Sequence, residues 1–191
     1  MENKVLYINA CVRSGSRTKR LAEKLLERIG EPFEEIRTEE LSFPKADEEF
    51  LLRRERLISE GKTADPIFEQ ARRFSEAETI VIAAPYWDLS FPASLKRYLE
   101  QVNAVGITFR YSEEGIPEGL CRAKRLFYVC TAGGYFAPDT FGFEYVKALA
   151  QSYYGIEDVR LIKAAGLDID GADVNGIMRE TEQSISEMDI G

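Results

Sequence analysis

The chain has 191 residues, 45% hydrophobic and 30% charged, with 33 acidic against 25 basic side chains and a net charge of −8. That balance excludes a disordered or fibrous chain and, with no long basic run, speaks against nucleic-acid binding. No apolar run approaches the ~20 residues of a membrane span, and there is no histidine, which removes Ser-His-Asp and Cys-His catalysis and histidine-bearing zinc or haem sites.

In chain order, residues 5–8 (Val-Leu-Tyr-Ile) read as a buried strand. Residues 10–16 are loop-like, and from Arg17 the spacing of Leu21, Leu25 and Ile29 predicts a helix that Gly30 and Pro32 stop. Residues 33–37 form a weaker strand, residues 46–60 a surface or lid helix, and Asp65-Pro66 opens another helix to about Glu76. Residues 79–84 are apolar on both faces, as a central parallel strand requires. Pro92 suits the first turn of a helix through about Val102. Residues 108–111 are extended and 113–119 a turn-rich loop; residues 126–131 are a strand, about 141–154 a helix and 159–165 the fifth strand. A last helix carries Val174, Ile177, Met178, Ile185 and Met188. Five strands alternating with helices predict one α/β domain over residues 1–191, a doubly wound parallel sheet of order 2-1-3-4-5 with helices on both faces. Ligands of such sheets sit beyond the carboxyl ends of the strands, at the switch point. The three cysteines, Cys11, Cys121 and Cys130, are few and odd in number, which suits a reducing cytoplasm.

Three loops are expected to meet at that switch point. The first, residues 10–18, opens a helix whose N-terminus favours anions, and Ser14, Ser16, Thr18, Arg13 and Arg17 add hydroxyl donors and cations. It reads as a phosphate cradle, or more plainly as a polar loop in which Ser16 is an N-cap. The second, residues 85–92, places Tyr86 and Trp87 where a flat ligand would lie, or where a hydrophobic contact closes the sheet edge. The third, Thr131-Ala132-Gly133-Gly134-Tyr135-Phe136, brings backbone near a ligand or is an ordinary Gly-Gly turn. Neither G-x-G-x-x-G nor G-x-x-x-x-G-K-[ST] is present in the first loop.

Residues 84–96 (Ala-Pro-Tyr-Trp-Asp-Leu-Ser-Phe-Pro-Ala-Ser-Leu-Lys) are similar to the proline–aromatic–asparagine loop and Leu-Lys helix of the flavodoxin-fold NAD(P)H-dependent FMN oxidoreductases, in particular the NADH-azoreductase and quinone-reductase branch. Residues 106–111 (Gly-Ile-Thr-Phe-Arg-Tyr) and Glu118-Gly119-Leu120 resemble the family's G-x-T-F-x-Y and E-G-L elements, and residues 131–134 its T-x-x-G-G turn. The resemblance implies a homodimer with FMN held between the subunits, reduced by NADH or NADPH and reoxidised in a ping-pong cycle by a quinone, azo or nitroaromatic acceptor. It implies Ser16, Arg17 and Thr18 on the FMN phosphate; Pro85, Tyr86, Trp87, Asp88 and Leu89 along the isoalloxazine; and Thr131, Gly133 and Gly134 at its pyrimidine end. Phe109, Tyr135 and Phe136 would line the substrate pocket, with no metal and no side chain as catalyst. Asp88 stands where asparagine is usual, and Phe136 where some members carry histidine.

Two rivals remain at this level. Residues 11–18 also spell C-x5-R-T, the tyrosine-phosphatase signature, with Cys11 as nucleophile. The acidity would suit an electron-carrier flavodoxin, against which stand the long segment 39–76 and the insertion 108–120. Arg53, Arg54 and Arg56 would meet a nicotinamide-nucleotide phosphate or form a solvated helix face.

Overall fold

The computed structural model describes residues 4–190. Its centre is a five-stranded parallel sheet of β1 (Val5–Asn9), β2 (Phe33–Arg37), β3 (Thr79–Ala83), β6 (Arg125–Thr131) and β7 (Asp158–Ala164) in the order β2-β1-β3-β6-β7. Counting only these five, the order is the expected 2-1-3-4-5. The alternation of each strand divides its side chains between two cores. Leu6, Ile8, Ile80, Ile82, Leu126 and Tyr128 face α3 (Glu69–Glu76), α4 (Ala93–Val102) and α5 (Phe143–Leu149). Tyr7, Val81, Ala83, Phe127 and Val129 face α1 (Arg17–Ile29) and α6 (Val174–Glu187). Burial on both faces explains why β3 and β6 read as continuous apolar runs.

The helix boundaries follow local chemistry. Ser16 caps α1, and Gly30 ends it in the left-handed conformation at φ 71°. Asp47 caps α2 (Glu48–Ser59), the expected surface helix. The helix expected from Pro66 is a 3-10 turn, Pro66–Phe68, followed by α3. Pro92 is the residue before α4 rather than within it. The helix expected over 141–154 begins at Phe143 and widens into a π-helical turn, Ala150–Tyr154.

One element departs from expectation. Residues 113–119 are not simply a loop: β5 (Pro117–Gly119) pairs antiparallel with β4 (Phe109–Tyr111). The hairpin lies directly against the end of the π-helical turn. A Cβ placed on Gly119 would fall 2.2 Å from the backbone of both Tyr154 and Gly155, so contact is backbone to backbone.

Candidate active site at the carboxyl ends of the strands

The loop after β1 is shaped by Asn9, whose Oδ1 accepts the Cys11 amide at 2.9 Å. At its far end the Ser16 hydroxyl accepts the Lys19 amide at 3.2 Å. The plain N-cap reading of Ser16 is therefore correct, and it leaves the amides of Arg17 and Thr18 pointing out of the helix without intrahelical acceptors. Thr18 is fully buried, and its hydroxyl meets that of Thr131, at the end of β6, at 2.6 Å.

The loop after β3 is a tight two-residue turn. Trp87 and Ser90 exchange backbone hydrogen bonds of 3.0 and 2.7 Å, with Asp88 (φ 50°) and Leu89 (φ 69°) both left-handed between them. Primed hairpin turns normally place Gly or Asn there, so Leu89 holds strained backbone. The loop is tied to its neighbour: the Tyr86 amide donates to Thr131 O at 3.0 Å, the Tyr86 hydroxyl to Pro138 O at 3.3 Å and the Ser90 hydroxyl to Phe141 O at 2.7 Å.

The loop after β6 is braced in turn by the loop after β7. Asp168 N donates to Gly133 O at 2.9 Å, and Gly166 N to Gly134 O at 3.1 Å. Gly166 sits in the left-handed region at φ 80°, and at Gly133 a side chain would have to displace the exposed Asp168 carboxylate. A Cβ on Gly133 would lie 2.5 Å from the Asp168 carboxylate, and one on Gly166 would lie 2.3 Å from the Tyr135 ring. Arg17 crosses from α1 to this wall, its Nη1 donating to Asp168 Oδ1 at 2.7 Å and to Leu167 O at 3.1 Å.

These loops enclose a crevice of about 310 Å³. Of the residues singled out from sequence, it is lined by Arg13, Ser16, Arg17, Thr18, Pro85, Tyr86, Trp87, Thr131 and Gly133. Asp88 and Leu89 form the turn behind Trp87 and do not line it, and neither does Gly134. Phe109 is not brought there either: it is 5% exposed, packed edge-on against Tyr111 and Tyr153 under the β4–β5 hairpin. Tyr135 and Phe136 stand in solvent rather than in the crevice, Phe136 at 82% exposure. Asp168 and Leu167 line the crevice without having been anticipated; one aspartate of the stretch Asp168-Ile169-Asp170 gives no local signal.

The rival chemistry fails on Cys11. It is 2% exposed, its Sγ lies 3.8 Å from Ala83 O, and burial pushes its pKa up to about 11, so the thiolate that attacks phosphorus is suppressed. Nor do the three arginines of α2 act together. Arg54 is buried and donates to the carbonyls of Glu100, Gln101 and Asn103 at the end of α4, while Arg53 and Arg56 remain exposed. A larger hollow of about 570 Å³ between α2, α3 and α4 includes Arg53 but shares no lining residue with the crevice.

A family profile described as a flavodoxin-like fold matches residues 3–188. A protein named FMN-dependent NADH:quinone oxidoreductase 2, from Clostridium acetobutylicum, is 37% identical over 199 aligned positions, covering 97% of each chain. An FMN-dependent NADH:quinone oxidoreductase from Clostridium beijerinckii is 34% identical, again over 97% of each. Among solved structures, an azoreductase from Bacillus anthracis superposes with a TM-score of 0.82 at 20% identity, covering 97% of both chains. An FMN-dependent NADH-azoreductase from the same organism, in complex with FMN, gives 0.80 at 23% identity and the same coverage.

Proposed function

The chain belongs to the Flavodoxin_2 family, and on that premise we propose that it is an FMN-dependent oxidoreductase passing two electrons from NADH or NADPH to quinone and azo acceptors, with nitroaromatics as further acceptors. The observation that carries this reading is the convergence of four strand-end loops on one crevice lined both by the N-terminus of α1 and by Tyr86 and Trp87.

The residues present fit FMN. The outward amides of Arg17 and Thr18, with the hydroxyl of Ser16, suit its phosphate. Tyr86 and Trp87 offer a flat wall for the ring, and Gly133 lets the β6 loop approach the ring edge. Thr131 contributes by holding Thr18. When bound, FMN supplies the two-electron chemistry, and the protein supplies position and walls. The ties from Tyr86 to Thr131 and Pro138, and from Ser90 to Phe141, keep the aromatic shelf fixed relative to the β6 loop. With no histidine in the chain, this division of labour demands no imidazole acid or base.

The reading includes a homodimer working in the cytoplasm, with residues 1–191 as one FMN-binding unit. Phe136 and Phe141 beside the crevice, and Tyr111 and Ile116 on the hairpin, are each more than half exposed, an apolar surface that a second subunit would cover. Among the described residues no helix is long and apolar enough to cross a membrane, and the cysteines are free.

Anaerobic mixing tests the function. NADH or NADPH should bleach the flavin absorption of the purified protein, menadione should restore it, and double-reciprocal plots should be parallel, as a ping-pong cycle requires. Flavin that stays oxidised under both nucleotides would transfer the case to an electron carrier. A colourless protein that ignores micromolar FMN would end both readings.

A further inference from the structure

We propose that Asp168 sets how strongly the crevice prefers FMN over its dephosphorylated form, riboflavin, by neutralising the Arg17 guanidinium beside the phosphate-binding end. The inference rests on the FMN reading above. Arg17 lies in the first turn of α1, where a cation facing a phosphate is the simple expectation. Its guanidinium is instead turned to the opposite wall, donating to Asp168 Oδ1 at 2.7 Å and Leu167 O at 3.1 Å.

The Asp168 backbone is fixed in that wall, and its carboxylate is largely exposed at the crevice rim. The Asp168 amide is anchored on Gly133 O at 2.9 Å, and the missing side chain of Gly133 makes the space the carboxylate occupies, since a Cβ there would lie 2.5 Å from Oδ2. Arg17 and Asp168 both line the crevice that ends at the N-terminus of α1. One positive and one negative charge at contact distance cancel to first order for a phosphate a few ångströms further away. Phosphate recognition then falls on the outward amides of Arg17 and Thr18, the Ser16 hydroxyl and the other cation that lines the crevice, Arg13.

Charge changes at the two positions should therefore act in opposite directions and only on the phosphorylated flavin. The test is a set of fluorescence titrations of the full-length protein, freed of flavin by dialysis, with FMN and with riboflavin at low salt. Asp168→Asn should bind FMN about two- to fivefold more tightly than the unaltered protein, and Arg17→Ala weaker by a similar factor, the range for solvent-exposed charges. The double variant should return towards the unaltered value, riboflavin should move by less than about twofold throughout, and added salt should shrink the differences. Asp168→Ser should repeat the Asp168→Asn result, which separates loss of charge from disturbance of the loop. FMN affinity unchanged or weakened in both Asp168 variants, or riboflavin shifting in parallel with FMN, would overturn the proposal while leaving the FMN reading intact. An unaltered protein that binds neither flavin would overturn both.

Discussion

Thr18 and Thr131 stand hydroxyl to hydroxyl at 2.6 Å, joining the first turn of α1 to the last residue of β6. The pair is asymmetric, because Thr18 is fully buried whereas Thr131 is partly open to solvent. Thr131→Val therefore strands a buried hydroxyl and should cost about 1–2 kcal/mol, whereas Thr18→Val leaves a partner that water can serve and should cost less. The double variant should resemble Thr18→Val rather than the sum. Urea unfolding at constant m-value checks the order; a Thr18→Val cost exceeding that of Thr131→Val would contradict it.

Arg54 serves the end of α4. Its guanidinium, sandwiched near the rings of Phe50 and Phe68, donates to three carbonyls at the helix terminus. Burial lowers its pKa, yet an arginine retains its charge at neutral pH. Arg54→Met would leave those carbonyls without their donor and should destabilise by roughly 2–3 kcal/mol. Arg53→Ala and Arg56→Ala, on the exposed side, should stay within about 0.5 kcal/mol. Equal losses at the three positions in thermal unfolding would refute this division.

The thiols, Cys11 and Cys130 buried and Cys121 partly so, give stability a sign with pH. Burial raises Cys11 to about 11, and Cys121 and Cys130 to about 12. The unfolded chain then loses these protons first, so their contribution is complete below the ordinary thiol range and is lost as pH rises towards 11–12. Each thiol should remove about 1.4 kcal/mol per pH unit inside that window. Denaturation at pH 8 and pH 10 should show the loss, and Cys130→Ala should reduce its slope. Stability that is flat over that interval would show the thiols to be far more accessible than the fold places them.

Leu89 occupies left-handed backbone while 44% exposed. Leu89→Asn, which tolerates that conformation, should raise stability by about 0.5–1 kcal/mol, and Leu89→Val should lower it. Calorimetry decides; a stabilising valine would mean that the turn relaxes.

Where one residue type dominates a local pattern, the sequence was informative. The run from Thr79 to Ala83 has no polar residue after its first position, and only a strand covered on both faces accommodates it. Ser16 followed by the Leu21–Leu25 spacing located the start of α1, and with it the anion end of the crevice. The position of Phe109 away from the crevice was not legible because its neighbourhood is set by Tyr153, 44 positions away, and by a hairpin whose strands are three residues each, too short for an alternating pattern. Asp168 and the role of Arg54 were hidden for a related reason: each is defined by a partner more than 40 positions distant, Arg17 in one case and the end of α4 in the other.

Gly119 illustrates that accessibility and room are separate quantities. The residue counts as exposed, so by solvent contact alone it would be ranked with the tolerant positions of the surface. Yet the single direction in which a side chain would leave its backbone is filled by Tyr154 and Gly155. In a saturation library, Glu118 and Leu120 on either side should accept many replacements, while position 119 should reject even alanine unless the hairpin lifts off the π-helical turn. A surface residue here carries the mutational intolerance of a core one.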